Sequence, residues 1–480
     1  MSIVLILDCG ATNVRAIAID ERGEILAGHH IVNETRTQLG SAEQQIWDID
    51  QIWGKLTECS QAVTAQLSGR QVDGVTVTTF GVDGAPFDSA GRQLYPVISW
   101  KCPRTEPVLQ RLGEYLDKES LYLNNGIGSY SFNTLFKLLW LKENEPDVYR
   151  KMDKFVFISS MLNQRLTSNW STDLTMAGTS MMTDLIGQGW HASVLDTLGI
   201  DQRRFPEFVA AGERVGQLQP QAAELLGLTA GIPVISAGHD TQFALFGSGA
   251  ALNQPVLSSG TWEILMARVN QVSITAGHKA QGVTTEWDAL HGHYNPGIQW
   301  LGSGVLEWLS RLLFAELEQD PKRYQKMIAE GSSVAPGSGG VRFAAPLTSG
   351  RGPDAGLIDG FSIQTTRGQL YRSALEATAR QTRNALAILE QLGGFDTDSL
   401  LVVGGGSKNA LWNQIRADIT GKPIDVVSAT ETTALGAAMF AFSGLGVYAS
   451  PQQAQQSMRP QVQRILPGEQ QADYQRLYAE

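Results

Sequence analysis

Apolar and polar positions divide the chain into strand and helix segments whose ends carry most of its glycines and hydroxyls. From Ile3 to Leu7 every position is apolar and the run is partly β-branched, the pattern of a strand buried on both faces. It stops at Asp8, just before a Gly/Thr/Asn turn. A second strand fits Val14 to Ile19, and Glu21-Arg22-Gly23 supplies a hairpin turn into a third over Glu24 to His29. The spacing then becomes helical, with Ile52, Leu56, Cys59, Val63 and Leu67 on one face, before the β-branched run Val72 to Thr79.

This order of three strands, helix and strand resembles the ribonuclease-H-like core of the actin and sugar-kinase superfamily, and its plan recurs. Residues 254 to 267 (QPVLSSGTWEILMA) again read as strand, small-residue turn and strand. Tyr371, Leu375, Thr378, Thr382, Leu386 and Leu389 then mark a long helix, followed by the strand Leu400 to Val403 and the turn Gly404-Gly405-Gly406. The boundary falls near Gly247 to Asn253, giving domains 1–248 and 249–480. The fold class expected is α/β, two ribonuclease-H-like (actin-like ATPase) domains around a central cleft. The stretch Gly331 to Gly356, rich in Gly, Ser and Pro, reads as loop, with Gly350-Arg351-Gly352-Pro353 either at the cleft mouth or on plain surface.

Candidate chemistry lies at the strand ends. In Asp8-Cys9-Gly10-Ala11-Thr12-Asn13-Val14-Arg15 the turn amides, Thr12 and Asn13 can bind phosphate, Asp8 can hold Mg²⁺ and Arg15 can neutralise charge. A hairpin turn with a surface arginine explains the same residues. Ser258-Ser259-Gly260-Thr261 sits at the equivalent place in the repeat, as a second phosphate loop would. Asp240 follows the strand Ile232 to Ser236, where it serves either as general base for a hydroxyl or as a helix cap, and the two roles are compatible. Asp83, in Phe80-Gly81-Val82-Asp83-Gly84, is the expected sugar anchor, or an ordinary Asp-Gly turn. Trp100 stands close enough in sequence to join it. Gly404, Gly405 and Gly406, with Asn409 after them, fit a turn against adenosine, because a dinucleotide fingerprint lacks its third glycine at Asn409 and the chain has no Walker loop.

Composition narrows the function classes. Across 480 residues, 42% hydrophobic and 18% charged, the chain is long enough for two cores, and its net charge of −11 argues against nucleic acid or an anionic membrane as partner. Cys9, Cys59 and Cys102 form neither a disulfide framework nor a zinc cluster. With no signal h-region and no span of transmembrane length, the expected location is cytoplasmic. A homo-oligomer is compatible with all of this.

The residues together resemble the FGGY family of carbohydrate kinases over nearly the whole length. Phe132 to Asn144 fits the family's first signature throughout, and Gly356 to Glu376 fits the second except at Phe361, where a smaller aliphatic residue is usual. The resemblance implies ATP-dependent, Mg²⁺-dependent phosphorylation of a small sugar, a ketose, with L-fuculose ahead of L-rhamnulose, D-ribulose and D-xylulose. It implies Asp240 as proton acceptor, with Gly81, His239, Thr241 and Gln242 beside the sugar. The nucleotide is expected around Thr261, Asn295 and the glycine turn, although Ser303 replaces a glutamine that related kinases carry after the Asn. The rival from another class is a non-catalytic actin-like ATP-binding sensor.

Overall fold

A computed structural model describes residues 1–38, 40–41, 43–345, 356–429 and 431–479, so the Gly350 to Pro353 expectation lies outside the described residues. The chain forms two compact units. The first comprises Met1–Gly249, Ile274–Asn295 and Glu431–Arg459, and the second Ala250–Ser273, Pro296–Thr430 and Pro460–Glu480. Each unit is therefore assembled from separated stretches of sequence.

In the first unit the sheet runs in the order Arg214–Gln217, Pro233–Ile235, Gly74–Thr79, Ile3–Cys9, Asn13–Asp20, Ile25–Val32. The central strand Ile3–Cys9 is buried at every position, which is why its sequence does not alternate. Successive pairings across this sheet are antiparallel, parallel, parallel, antiparallel and antiparallel. In the second unit the strands Val462–Ile465, Ile424–Val427, Leu400–Val403, Val256–Ser259, Trp262–Met266 and Tyr294–Leu301 follow one another with the same succession. The repeat suspected from residues 254 to 267 is thus a repeat of topology. It places Ser259 to Thr261 where the first unit has Cys9 to Asn13, and Gly404 to Gly406 where it has Phe80 to Gly84.

The stretch expected as loop from Gly331 to Gly356 is corrected in part. Arg342–Ala345 is a strand, paired antiparallel with Leu357–Asp359, and its short run is hidden in the sequence by the glycines before it.

The first unit's core contains Val4, Ile6, Ile17, Ile235, Phe243, Phe246, Phe440 and Phe442, all buried. Within it helices Asp240–Gly247 and Thr432–Gly444 pack closely where Gly247 meets Gly436. A Cβ on Gly247 would lie 2.9 Å from the Gly436 Cα, and one on Gly436 would lie 3.0 Å from the Gly247 amide nitrogen. Backbone cannot yield as a side chain does, so Gly436→Val is expected to destabilise the protein by about 1–3 kcal/mol or more. The check is a lowered urea midpoint at unchanged m-value.

Candidate active site

At the end of strand Ile3–Cys9, Asp8 is buried and already paired. Its Oδ2 accepts from Arg15 Nε at 2.9 Å and its Oδ1 accepts from Thr78 Oγ1 at 3.0 Å. Arg15 reaches on to Glu431, with Nη1 donating to Oε2 at 2.5 Å. The antiparallel register that sets Asp8 opposite Arg15 brings these two together. The turn between them is fastened from outside: Asn33 Nδ2 donates to the Gly10 carbonyl at 2.8 Å, and the Asn33 amide donates to the Thr12 carbonyl at 2.7 Å. Thr12 is left exposed and Asn13 half-buried, as a ligand loop requires.

His239 and Asp240 follow the strand Pro233–Ile235, and Asp240 opens a helix. Gly238 has φ +151°, and a Cβ there would collide with Asp173 and Thr175, so only glycine fits. Thr79 donates its amide to the Gly238 carbonyl at 2.8 Å, and His239 donates its amide to Thr175 Oγ1 at 2.8 Å. Behind them Asp173 accepts from Ser159, from Thr175 Oγ1 at 2.9 Å and from the Met176 amide at 2.8 Å. Gly81 faces the imidazole, where a Cβ would stand 2.9 Å from His239 Nε2.

The His239 ring lies between carboxylates. Asp240 Oδ1 is 3.5 Å from Nε2, and Glu286 Oε2 is 3.4 Å from Nδ1. Burial disfavours charge on the ring, but Glu286, Asp240 and Asp173 outweigh it and the pKa is raised. Asp240, with 29% of its side chain exposed, is also raised. Loss of solvent is the main cause, His239 opposes it and Asp8 adds to it. Thr241 Oγ1 donates to Asp240 Oδ1 at 3.2 Å. Gln242, fully buried, donates through Nε2 to Glu286, and its Oε1 accepts from Asn295 Nδ2. Asn295, grouped with the nucleotide by the resemblance, therefore stands with the His239 and Asp240 cluster, at the start of strand Tyr294–Leu301.

Asp83 is placed differently from a free sugar anchor. It is fully buried, with Oδ1 paired to Lys137 and Oδ2 accepting from Trp47 Nε1 at 2.7 Å and the Trp100 amide at 3.1 Å. Both oxygens are occupied by the protein itself, and the group orients the Trp100 backbone, whose side chain is 37% exposed. Lys101 Nζ lies 5.3 Å from the Trp47 ring and 5.5 Å from the Trp100 ring.

In the second unit the two glycine-bearing turns meet. Gly404 has φ +89°, and a Cβ on it would lie 2.7 Å from the Ser259 carbonyl oxygen. Under them is a buried ion pair in which Glu263 accepts from Arg416, from Ser259 Oγ at 2.9 Å and from Trp300 Nε1 at 2.9 Å. The Arg416 guanidinium stacks 3.8 Å over Trp412. Gly260 and Thr261 stay partly open, Thr261 exposed, and Gly405 has space around it. Asn409 is used otherwise: it caps helix Ala410–Thr420 through Oδ1 and donates through Nδ2 to Tyr371 at 2.9 Å.

Glu286, Glu431, Lys137 and the Glu263–Arg416 pair escaped the sequence reading. Lys137 stood inside the first signature, and that was its signal. Glu286 offered only an acid within the short strand Thr284–Trp287. Among the described residues no group of three or more His, Cys, Asp or Glu side chains is arranged to hold a metal, and no helix is long and apolar enough to cross a membrane. A magnesium ion carried by a polyphosphate needs only one or two carboxylates. Asp8, buried at the end of strand Ile3–Cys9, supplies such a carboxylate.

Family models match the chain in two blocks, the N-terminal domain of the FGGY family of carbohydrate kinases over residues 3–247 and its C-terminal domain over residues 256–445. The chain belongs to the FGGY family of carbohydrate kinases. As a member it is a sugar kinase, a phosphotransferase that uses ATP. FGGY relatives include an L-fuculokinase of Haemophilus influenzae, 54% identical over 97% of this chain and 100% of that one. An L-fuculokinase of Escherichia coli is 45% identical over 97% of each chain. The crystal structure of a xylulose kinase from Rhodospirillum rubrum superposes with a TM-score of 0.88 at 22% identity, covering 99% of this chain and 98% of that one. That likeness gives the two-domain mixed α/β FGGY fold.

Proposed function

We propose that this kinase transfers the γ-phosphoryl group of ATP to L-fuculose, giving ADP and L-fuculose 1-phosphate, in the cytoplasm. The observation that carries the substrate is the likeness to relatives named L-fuculokinase, 54% and 45% identical over 97% of this chain.

In this reading residues 1–248 supply the base, most of the sugar-binding groups and one phosphate turn, and residues 249–480 the other nucleotide turns. A sugar hydroxyl is a poor nucleophile at neutral pH. Asp240 accepts its proton as the new oxygen–phosphorus bond forms and the bond to the ADP oxygen breaks. A carboxylate of raised pKa is the better acceptor, and burial beside Asp8 supplies that shift. Gly81 and His239 shape one wall for the sugar, with Thr241, Gln242 and Trp100 nearby, while Asp83 acts through the backbone it holds. Asn295 belongs on this sugar side through its bond to Gln242. The amides and hydroxyls of Thr12, Asn13, Gly260 and Thr261 receive phosphate oxygens, Arg15 neutralises charge, and Gly404 to Gly406 lie against adenosine. Asp8 would hold Mg²⁺, whose charge offsets that developing on the phosphates.

The test is kcat/KM by coupled ADP release with L-fuculose, L-rhamnulose, D-ribulose and D-xylulose, with NMR of the product to locate the phosphate. L-fuculose is expected to lead by about tenfold or more, as a site that hydrogen-bonds each hydroxyl discriminates. Equal rates on all four, or none, would reject the assignment.

A further inference from the structure

Glu286 is a carboxylate that the motifs leave without a role, yet two site groups converge on it. Its Oε2 accepts from Gln242 Nε2 and lies 3.4 Å from His239 Nδ1. A carboxylate only accepts. Gln242 must therefore turn its amide nitrogen to Glu286 and its oxygen to Asn295, which in turn commits Nδ2 to Gln242. Asn295 Oδ1 is then left buried, with no donor among the described residues. Its own desolvation makes a donor from a hydroxyl-bearing ligand favourable.

We propose that Glu286 is a positioning residue for the transfer site: its carboxylate fixes the direction of the Gln242 and Asn295 amides and holds the His239 ring so that Nε2 faces Asp240. This rests on the sugar-kinase reading given above. The consequence for charge follows from what surrounds the ring. His239 is faced by Glu286 from strand Thr284–Trp287, by Asp173 from strand Thr172–Asp173, and by Asp240 beside it. Asp240 is faced in turn by Asp8, with Cys9 and Arg15 in the same field. Burial alone would keep the imidazole neutral; Glu286, ahead of Asp240 and Asp173, favours the cation, and that cation lowers the Asp240 pKa.

The test is Glu286→Gln in the full chain, a change that keeps size and removes charge. NMR titration of the His239 imidazole in the ligand-free protein, assigned with His239→Gln, is expected to move down by about one pH unit or more. Losing the imidazolium raises the Asp240 pKa, so the acid limb of kcat moves to higher pH. The KM for L-fuculose is expected to rise about fivefold or more while that for ATP stays put. Gln242→Met separates the two roles, raising the sugar KM without moving the His239 titration. Should Glu286→Gln not fold, Glu286→Asp, whose shorter reach weakens both contacts, is expected to lower the titration partway. A His239 titration unmoved in the Glu286 variants, or a KM for ATP that climbs with that for sugar, overturns the proposal. Because the titration needs no turnover, absence of activity on L-fuculose would sink the substrate assignment and leave this test standing.

Discussion

Asp240→Ala is expected to lower kcat for L-fuculose phosphorylation by about 10²–10⁴-fold, the range lost when a positioned general base is removed. The protein should remain folded. The Asp240 side chain is part-exposed, and its own pKa is raised by lost solvent and by the neighbouring Asp8 charge, so its ionised form is held at a cost. Removing it relieves repulsion between two anions, and the thermal midpoint is expected to stay level or rise. Steady-state kinetics beside a melting curve check this: undiminished turnover would refute the base assignment, and a collapse of the midpoint in step with activity would make Asp240 a structural group.

The second large effect is on stability. Lys137→Met leaves the Asp83 carboxylate buried with no cation, which costs about 3–5 kcal/mol in comparable pairs. Lys137 and Asp83 have side-chain exposures of 2% and 0%, so water cannot replace the lost partner. The lysine also donates to the Val82 carbonyl at 3.2 Å, and Thr134 Oγ1 donates to the same oxygen at 2.8 Å. Val82 has φ +63°, a conformation that a β-branched residue avoids and that the fold must enforce at about 1–3 kcal/mol. The helix Thr134–Asn144 of the first signature is thus the clamp on the Phe80–Gly84 turn. Urea unfolding of Lys137→Met, Asp83→Asn and the double variant tests this. The double variant is expected to recover most of the loss, because it removes the stranded charge.

Much of this site was legible in the sequence because its turns end apolar runs. Asp8, Thr12, Arg15, His239, Asp240 and the glycines of both units stand at strand ends, and hydrophobic periodicity locates strand ends well. What the pattern could not reveal is which partner a side chain finds. Asp83 looks like a free acid in Gly-Val-Asp-Gly until a lysine 54 residues later reaches its oxygen. Asn409 looks like a ligand-turn residue until it caps the helix that follows it. Asn295, which the resemblance groups with the nucleotide, gives no sign in the sequence that its hydrogen bond goes to Gln242. Glu286 lies on a strand too short to signal itself, so its carboxylate had no context until the sheet and helix brought His239 and Gln242 to it.

The interleaving of the two units has a consequence for synthesis. Helix Asp240–Gly247 is made as translation passes its midpoint, but Thr432–Gly444, which covers Phe243 and Phe246 through Phe440, leaves the ribosome near the end. For most of that interval the nascent chain carries an aromatic face with nothing on it, the kind of surface that holdase chaperones shield. A message truncated just past residue 249 would yield no half-enzyme, only a polypeptide lacking both the Glu286 strand and the helix that seals its core.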